Sequence, residues 1–244
     1  MKDTLYQQQQ QEKQPFSFDQ KVANVFDNMI RRSVPGYEAM IQGSIDLCQS
    51  HVSQNKETSR IYDLGCATGE ATLALLSQLE QPVELIAIDC AKPMLSRAQA
   101  LIKSFTLNHQ IQWRLADITH TEMNHADVVL LQFTLQFIEP DKRQALIERI
   151  HHSMKPGGLL ILSEKTHHLD SYAQHQLEQM HLMHKQQQGY STLEISQKRQ
   201  ALDNVLITDT LDTHLDRLKK SGFRHPFCWY YNRLFASIAC YKTQ

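Results

Sequence analysis

Apolar residues along this 244-residue chain recur at two spacings, and the change from one to the other divides it into parts. From Phe16 onward Val22, Val25, Phe26, Met29 and Ile30 repeat at helical intervals until Pro35 and Gly36 break the run, which predicts an N-terminal helix. Met40, Ile41, Ile45 and Leu47 predict a second helix, and the polar segment 49–58 resets the chain after it. Short β-rich runs follow at residues 60–64, 85–88, 111–115, 127–131 and 159–162. The segments between them, such as 71–79 and 93–102, carry apolar residues at a period near 3.6, as crossover helices packed on a sheet do. Strands alternating with helices in this way predict an α/β fold with a mostly parallel, doubly wound, Rossmann-like sheet joined by right-handed crossovers.

Lys155-Pro156-Gly157-Gly158 reads as a tight turn from a helix into the strand 159–162, since Pro presets one backbone angle and Gly permits positive φ. Beyond Glu164 comes a long helical stretch in which Leu169, Ala173, Leu177 and Met180 share a face, broken at Gly189-Tyr190. Ser191 with Glu194 three residues later forms a capping box that starts another helix, expected to run to about Asn204. A helix from about Thr210 ends at Ser221-Gly222, and 227–231 with 235–241 read as an antiparallel pair that closes the sheet at the C-terminus. The expected organisation is a mobile Gln-rich tail at 1–14, N-terminal helices at 15–57, and one Rossmann-like domain at 58–244 with a helical insertion at about 168–204.

Charge narrows the function. Lys and Arg number 25 against 26 Asp and Glu, so no global field draws the chain to nucleic acid or to an anionic membrane, and a small-molecule substrate is the better expectation. The five cysteines, Cys48, Cys66, Cys90, Cys228 and Cys240, are scattered and never form C-x-x-C, which fits a reducing cytoplasm rather than a disulfide framework or zinc ribbon. The N-terminus has no apolar signal core, and no stretch approaches the length of a membrane span, so a cytoplasmic location is expected. Thirteen histidines include His151-His152, His167-His168 and the pair His181 and His184, yet none has H-E-x-x-H spacing, and no metal is expected.

The strand ends carry the candidate chemistry. Strand 60–64 runs through Asp63 into Gly65-Cys66-Ala67-Thr68-Gly69 and then a helix, the place where open α/β sheets bind ligands. Its G-x-x-x-G spacing differs from the G-x-G-x-x-G that cradles a pyrophosphate, so a ligand lacking pyrophosphate fits better. Asp89, twenty residues after Gly69, ends the second strand and can accept hydrogen bonds from both hydroxyls of a ribose. Asp117-Ile118, after the third strand, offers a carboxylate to an adenine amine and an apolar wall to the ring. Singly, each of these also reads as a turn glycine or a solvated strand-end acid; their joint spacing favours a nucleoside. Gln132, at the end of the fourth strand, serves equally as a contact to an amino-acid moiety or as a structural cap, and Phe137 reads as core.

The glycine turn and Asp89 resemble class I S-adenosylmethionine-dependent methyltransferases over roughly residues 58–165. A narrower resemblance lies outside that core, in Arg32-Ser33-Val34-Pro35-Gly36-Tyr37, Phe133-Thr134-Leu135-Gln136-Phe137 and the run from Gly189-Tyr190-Ser191 to Gln197-Lys198-Arg199, continuing through Asp203-Asn204-Val205 and Thr208-Asp209 to Thr213-His214. These segments look like the carboxy-S-adenosyl-L-methionine synthase family. The resemblance implies a transferase that converts S-adenosyl-L-methionine and prephenate into carboxy-S-adenosyl-L-methionine and phenylpyruvate, for wobble-uridine (5-oxyacetyluridine) modification of transfer RNA by a separate enzyme. It implies contacts to the cofactor-like substrate from Tyr37, Gly65, Cys66, Ala67, Asp89, Cys90, Asp117, Ile118, Gln132 and Arg199, with Arg199 holding the transferred carboxylate and reaching the site from the neighbouring subunit of a homodimer. Guanidinium suits that role, being planar, bidentate and permanently charged. The chain departs from the family pattern at Ala67, Cys90 and Gln132, where Ser, Asn and Asn are usual. Two other readings stay open at this point: an ordinary methyltransferase acting on a small molecule, and a non-catalytic nucleoside-binding protein.

Overall fold

The structure, a computed structural model, describes residues 1–9, 15–55, 57–105 and 108–243. Its centre is a seven-stranded sheet: β1 (Ser59–Leu64), β2 (Val83–Asp89), β3 (Gln110–Leu115), β4 (Ala126–Gln132), β5 (Met154–Lys165), β6 (Phe223–Asn232) and β7 (Phe235–Lys242), in the order β3-β2-β1-β4-β5-β7-β6. Strands β1 to β5 are parallel; β7 runs antiparallel to both β5 and β6. The expected doubly wound sheet with an antiparallel C-terminal strand is therefore present.

Alternate residues of the central strands enter opposite cores, as a strand period of two requires. Ile61, Leu85, Val128, Leu130, Leu159 and Ile161 pack on one side with α2 (Tyr37–Val52) and α3 (Glu70–Gln78). Tyr62, Leu64, Ile86, Ile88, Val129, Leu131 and Leu160 pack on the other with α5 (Pro140–Ser153) and α8 (Leu211–Lys220). Burial on both faces explains why these strands read as near-continuous apolar runs. A third, smaller cluster joins α1 (Gln20–Ser33) and Phe16 to α4 (Lys92–Lys103) and to Ala201 of α7 (Thr192–Leu202).

Four expectations need correction. The polar segment expected to reset the chain from Gln49 is helical as far as Val52, which is buried. Lys155 to Gly158 is not a turn before the strand: β5 already starts at Met154, paired with Ala126, and the next pair is Val128 with Leu159, so these residues bulge out of the ladder with Gly157 at φ +80°. In α6 (Ser171–Gln187) the helical period is right but the buried face is not the expected one. Leu169 and Met180 are exposed, whereas Leu177 and His181 face inward, where the Ser33 carbonyl meets His181 Nε2 and the Phe235 ring packs edge-on against the imidazole. Residues 1–9 of the expected mobile tail are docked, and 10–14, with part of the glutamine run, lie outside the described residues. Asp3 is 1% exposed; its N–H donates to Asn28 Oδ1 (2.8 Å), its carbonyl accepts from Arg32, and its carboxylate accepts from the Tyr190 hydroxyl.

Candidate active site

A cavity of about 270 Å³ opens at the C-terminal ends of β1 to β5 and is roofed by α1, α6 and α7. The turn after β1 forms its floor. Gly65 and Gly69 hold φ of +84° and +76°, and a Cβ on Gly65 would come within 2.3 Å of Thr134 Oγ1, so this glycine is needed for both backbone angle and space. Thr134 Oγ1 donates to the Leu64 carbonyl (2.9 Å), and the N–H groups of Gly65 and Cys66 both donate to the Ile88 carbonyl (2.8 and 3.0 Å). These bonds fasten the turn to its neighbours.

Glu164, at the end of β5, is fully enclosed and ties the other side of the floor. Its carboxylate accepts from the backbone N–H of Thr134 (3.1 Å), Leu135 (2.7 Å) and Gln136 (3.0 Å), capping the single 3₁₀ turn Leu135–Phe137. Burial raises its pKa, against the opposing pull of those three N–H groups and of Arg143. Phe133 turns the chain with φ +59°, a costly conformation for a bulky side chain, retained where the surroundings over-determine it.

Asp89 accepts from the N–H of Ala67 (2.9 Å) on one carboxylate oxygen and from that of Ala91 (2.8 Å) on the other. Each oxygen keeps a lone pair, so the carboxylate can still accept two further hydrogen bonds from a ligand. Burial raises its pKa, opposed by those same N–H groups. Asp63 is buried deeper, held by the Thr72 hydroxyl, and burial pushes its pKa up to about 6. Asp117 stands at the exposed rim; burial raises its pKa, but the Thr119 hydroxyl (2.7 Å) and N–H (2.8 Å), with His120 and Lys142, together outweigh this and lower it. Gln132 Oε1 is buried in the cavity wall with no hydrogen-bond partner, so a donor is missing there. The ammonium of an amino-acid ligand would supply one.

Of the ten expected contacts, Tyr37, Gly65, Cys66, Ala67, Asp89, Cys90, Asp117, Ile118 and Gln132 all line this one cavity. Arg199 does not: its side chain is 77% exposed, with its nearest carboxylate Glu178 at 3.5 Å. Phe137, expected as core, is half-buried and lines the cavity, in edge contact with Phe18 at 5.1 Å. Phe16 and Phe18 close over the same end. Sequence reasoning missed these two aromatics, together with Lys165, Lys185 and Lys198, which line the far end of the cavity with His181, a residue weighed from the sequence only as a metal ligand. Lys165 is the last residue of β5, a strand-end position of the same kind that drew attention to Asp89 and Gln132. Among the described residues no group of three or more His, Cys, Asp or Glu is arranged to hold a metal ion.

A family model for a methyltransferase domain matches residues 61–158, which cover the turn, Asp89 and Gln132. A carboxy-S-adenosyl-L-methionine synthase from Hydrogenovibrio crunogenus is 43% identical over 243 residues, spanning 100% of this chain and 96% of that one. Among solved structures, the CurJ carbon methyltransferase superposes with a TM-score of 0.68 at 14% identity, covering 94% of this chain and 62% of that one. The N-methyltransferase NodS from Bradyrhizobium japonicum WM9, solved with S-adenosyl-L-homocysteine, gives 0.56 at 15% identity, covering 85% and 87%. These two likenesses establish the fold.

Proposed function

This chain belongs to the carboxy-S-adenosyl-L-methionine synthase family, and on that premise we propose which residues do the work and what the second substrate is. The enzyme takes S-adenosylmethionine as substrate and gives carboxy-S-adenosylmethionine as product. The second substrate, in this reading, is prephenate. It aromatises to phenylpyruvate, losing its ring carboxylate as carbon dioxide and its ring hydroxyl as hydroxide. Hydroxide removes a proton from the sulfonium methyl group, leaving water, and the carbon so exposed bonds to the carbon dioxide. Atoms and charge balance without an added base or oxidant.

What supports the residue assignment is that one cavity gathers nine of the ten expected contacts, among them an unpaired acceptor, Gln132 Oε1, beside the glycine turn. Asp89 would take the ribose hydroxyls, Asp117 and Ile118 the adenine, and Gln132 the ammonium of the methionine moiety. Asp63 and Asp89 are already held by Thr72 and by backbone N–H groups, so positioning and charge, rather than a side-chain base, would carry the reaction.

Arg199 would hold the transferred carboxylate from the neighbouring subunit of a homodimer. Its exposure and its absence from its own chain's cavity favour that arrangement over one within the chain. Leu169, Tyr172, Met180, Met183 and Leu193 are all exposed on or beside α6 and α7, an apolar surface that a second copy would cover. No described helix is long and apolar enough to cross a membrane, and the reading places the enzyme in the cytoplasm, its product passing to a separate enzyme that modifies wobble uridine in transfer RNA.

Mass spectrometry of a reaction with S-adenosylmethionine and prephenate tests this directly. The expected product is heavier than S-adenosylmethionine by one carbon dioxide and appears with phenylpyruvate. A methylated product that needs no prephenate would overturn it.

A further inference from the structure

The far end of the cavity has a charge character that the residues proposed for S-adenosylmethionine do not explain. Lys165 comes from the end of β5, Lys185 from α6 and Lys198 from α7, and all three line the cavity with His181 and Ser33. Lys198 donates to Ser33 Oγ at 3.0 Å and lies 5.6 Å from the Tyr190 ring. Among the described residues no carboxylate lies within 4 Å of any of the three ammonium groups. Glu164, the immediate neighbour of Lys165, is turned away to the backbone of residues 134–136. Glu178 approaches closely enough to favour the charge on Lys165 but also faces Arg199.

Three lysines gathered in one protein-walled space with no carboxylate in ion-pair contact among the described residues, and only the more distant fields of Glu178 on Lys165 and Asp3 on Lys198, are costly to charge, and such an arrangement persists where a ligand completes it. The strain appears in their acidities. Burial, reinforced by Lys198, Lys165 and Arg199, pushes Lys185 down to about 7; burial brings Lys198 to about 8 and lowers Lys165 as well. His181 stays neutral under the same burial, its Nε2 bonded to the Ser33 carbonyl at 2.8 Å, so it adds no fourth charge.

Position decides what the ligand is. Asp89 ends β2 and Lys165 ends β5, with β1 and β4 between them, so three strand spacings of about 4.8 Å separate the nucleoside end from the lysine end by roughly 14 Å. The glycine turn and Gln132 lie between. The single carboxylate of S-adenosylmethionine cannot match three cations, whereas a small dicarboxylate can.

We infer that Lys165, Lys185 and Lys198 form an anion-holding lobe that seats a small dicarboxylate next to the reacting end of S-adenosylmethionine. Taken with the reading above, on which this refinement rests, that dicarboxylate is prephenate; the lobe binds its two carboxylates on entry and keeps the pyruvyl carboxylate while the ring carboxylate leaves as carbon dioxide, which Arg199 would hold once transferred.

Lys165→Gln and Lys185→Gln, made separately, test the assignment, with Lys185→Arg as the charge-conserving control. The KM for prephenate should rise at least about tenfold in each glutamine variant, the loss expected for one charge-assisted hydrogen bond, while calorimetric affinity for S-adenosylmethionine stays unchanged. Malonate, as a generic dianion, should raise the melting temperature of wild type and of Lys185→Arg but not of the glutamine variants. If malonate protects both glutamine variants as it does wild type and their KM is unchanged, the lobe is wrongly assigned. If wild type makes no carboxylated product from prephenate, the substrate reading fails; the malonate comparison still decides whether the lysines hold a dianion.

Discussion

Gly65 and Glu164 show how single residues set the floor of the site from two sides. Replacing Gly65 by Ala forces a Cβ into Thr134 at φ +84°, so either the turn or the 3₁₀ segment must move. Gly65→Ala should weaken S-adenosylmethionine binding at least about tenfold by calorimetry, because the backbone that approaches the ligand is displaced. Glu164→Gln acts through the same loop. An amide has one acceptor oxygen for the three N–H groups that the carboxylate now serves, and its NH₂ would face a donor. A loss of roughly 1–3 kcal/mol in urea unfolding is expected, together with weaker S-adenosylmethionine binding; an unchanged midpoint would contradict the clamp.

Among the elements, α6 and α7 carry the stability cost of the lysine lobe. A lysine whose folded pKa is lowered loses its proton in the native state while the unfolded chain keeps it. For Lys185 the window runs from about 7, its folded value, to the ordinary lysine value near 10.5. Within it the unfolded state binds more protons, so stability rises with pH, and it falls as pH drops towards 7. Measured as a difference, wild-type stability relative to Lys185→Gln should climb between pH 7 and 10, by up to about 1.4 kcal/mol per pH unit, and level off outside that range. A flat difference would mean that Lys185 is solvated like a surface lysine. The capping box at Ser191 and Glu194 anchors the start of α7, which carries Lys198 inward on one face and Arg199 outward on the next.

At the scale of the whole molecule, the outward direction of Arg199 and the exposed apolar residues of α6 and α7 bear on the same question, which is whether a complete site needs two chains. If Arg199 acts across a dimer, Arg199→Ala homodimers are inactive and Gly65→Ala homodimers turn over little at S-adenosylmethionine levels well below their weakened Kd, but a mixed dimer holds one site with an intact glycine turn and an intact arginine. Mixing equal amounts under exchange conditions should then restore about a quarter of wild-type activity, half the dimers being mixed with one working site in two. No recovery would place Arg199 within its own chain's site. Met183→Glu should shift the protein towards monomer in sedimentation and lose activity together with the dimer, since a buried unpaired carboxylate opposes association.

The strand and helix alternation, the glycine turn, Asp89 and the capping box were legible in the sequence because each depends on spacing within one strand, one turn or one helix. So were the resemblances at Arg32 to Tyr37 and Gly189 to Arg199. Packing decided the rest. The inward face of α6 follows from what lies beneath it, the docking of residues 1–9 from Asp3 meeting Tyr190 across 187 positions, and the unpaired state of Gln132 Oε1 from the shape of the cavity wall. The lysine lobe illustrates the reason most plainly. Lys165, Lys185 and Lys198 are unremarkable in a nearly neutral composition, and only the fold, by bringing the end of β5 under two later helices, concentrates their charge where, among the described residues, no carboxylate comes within ion-pair distance.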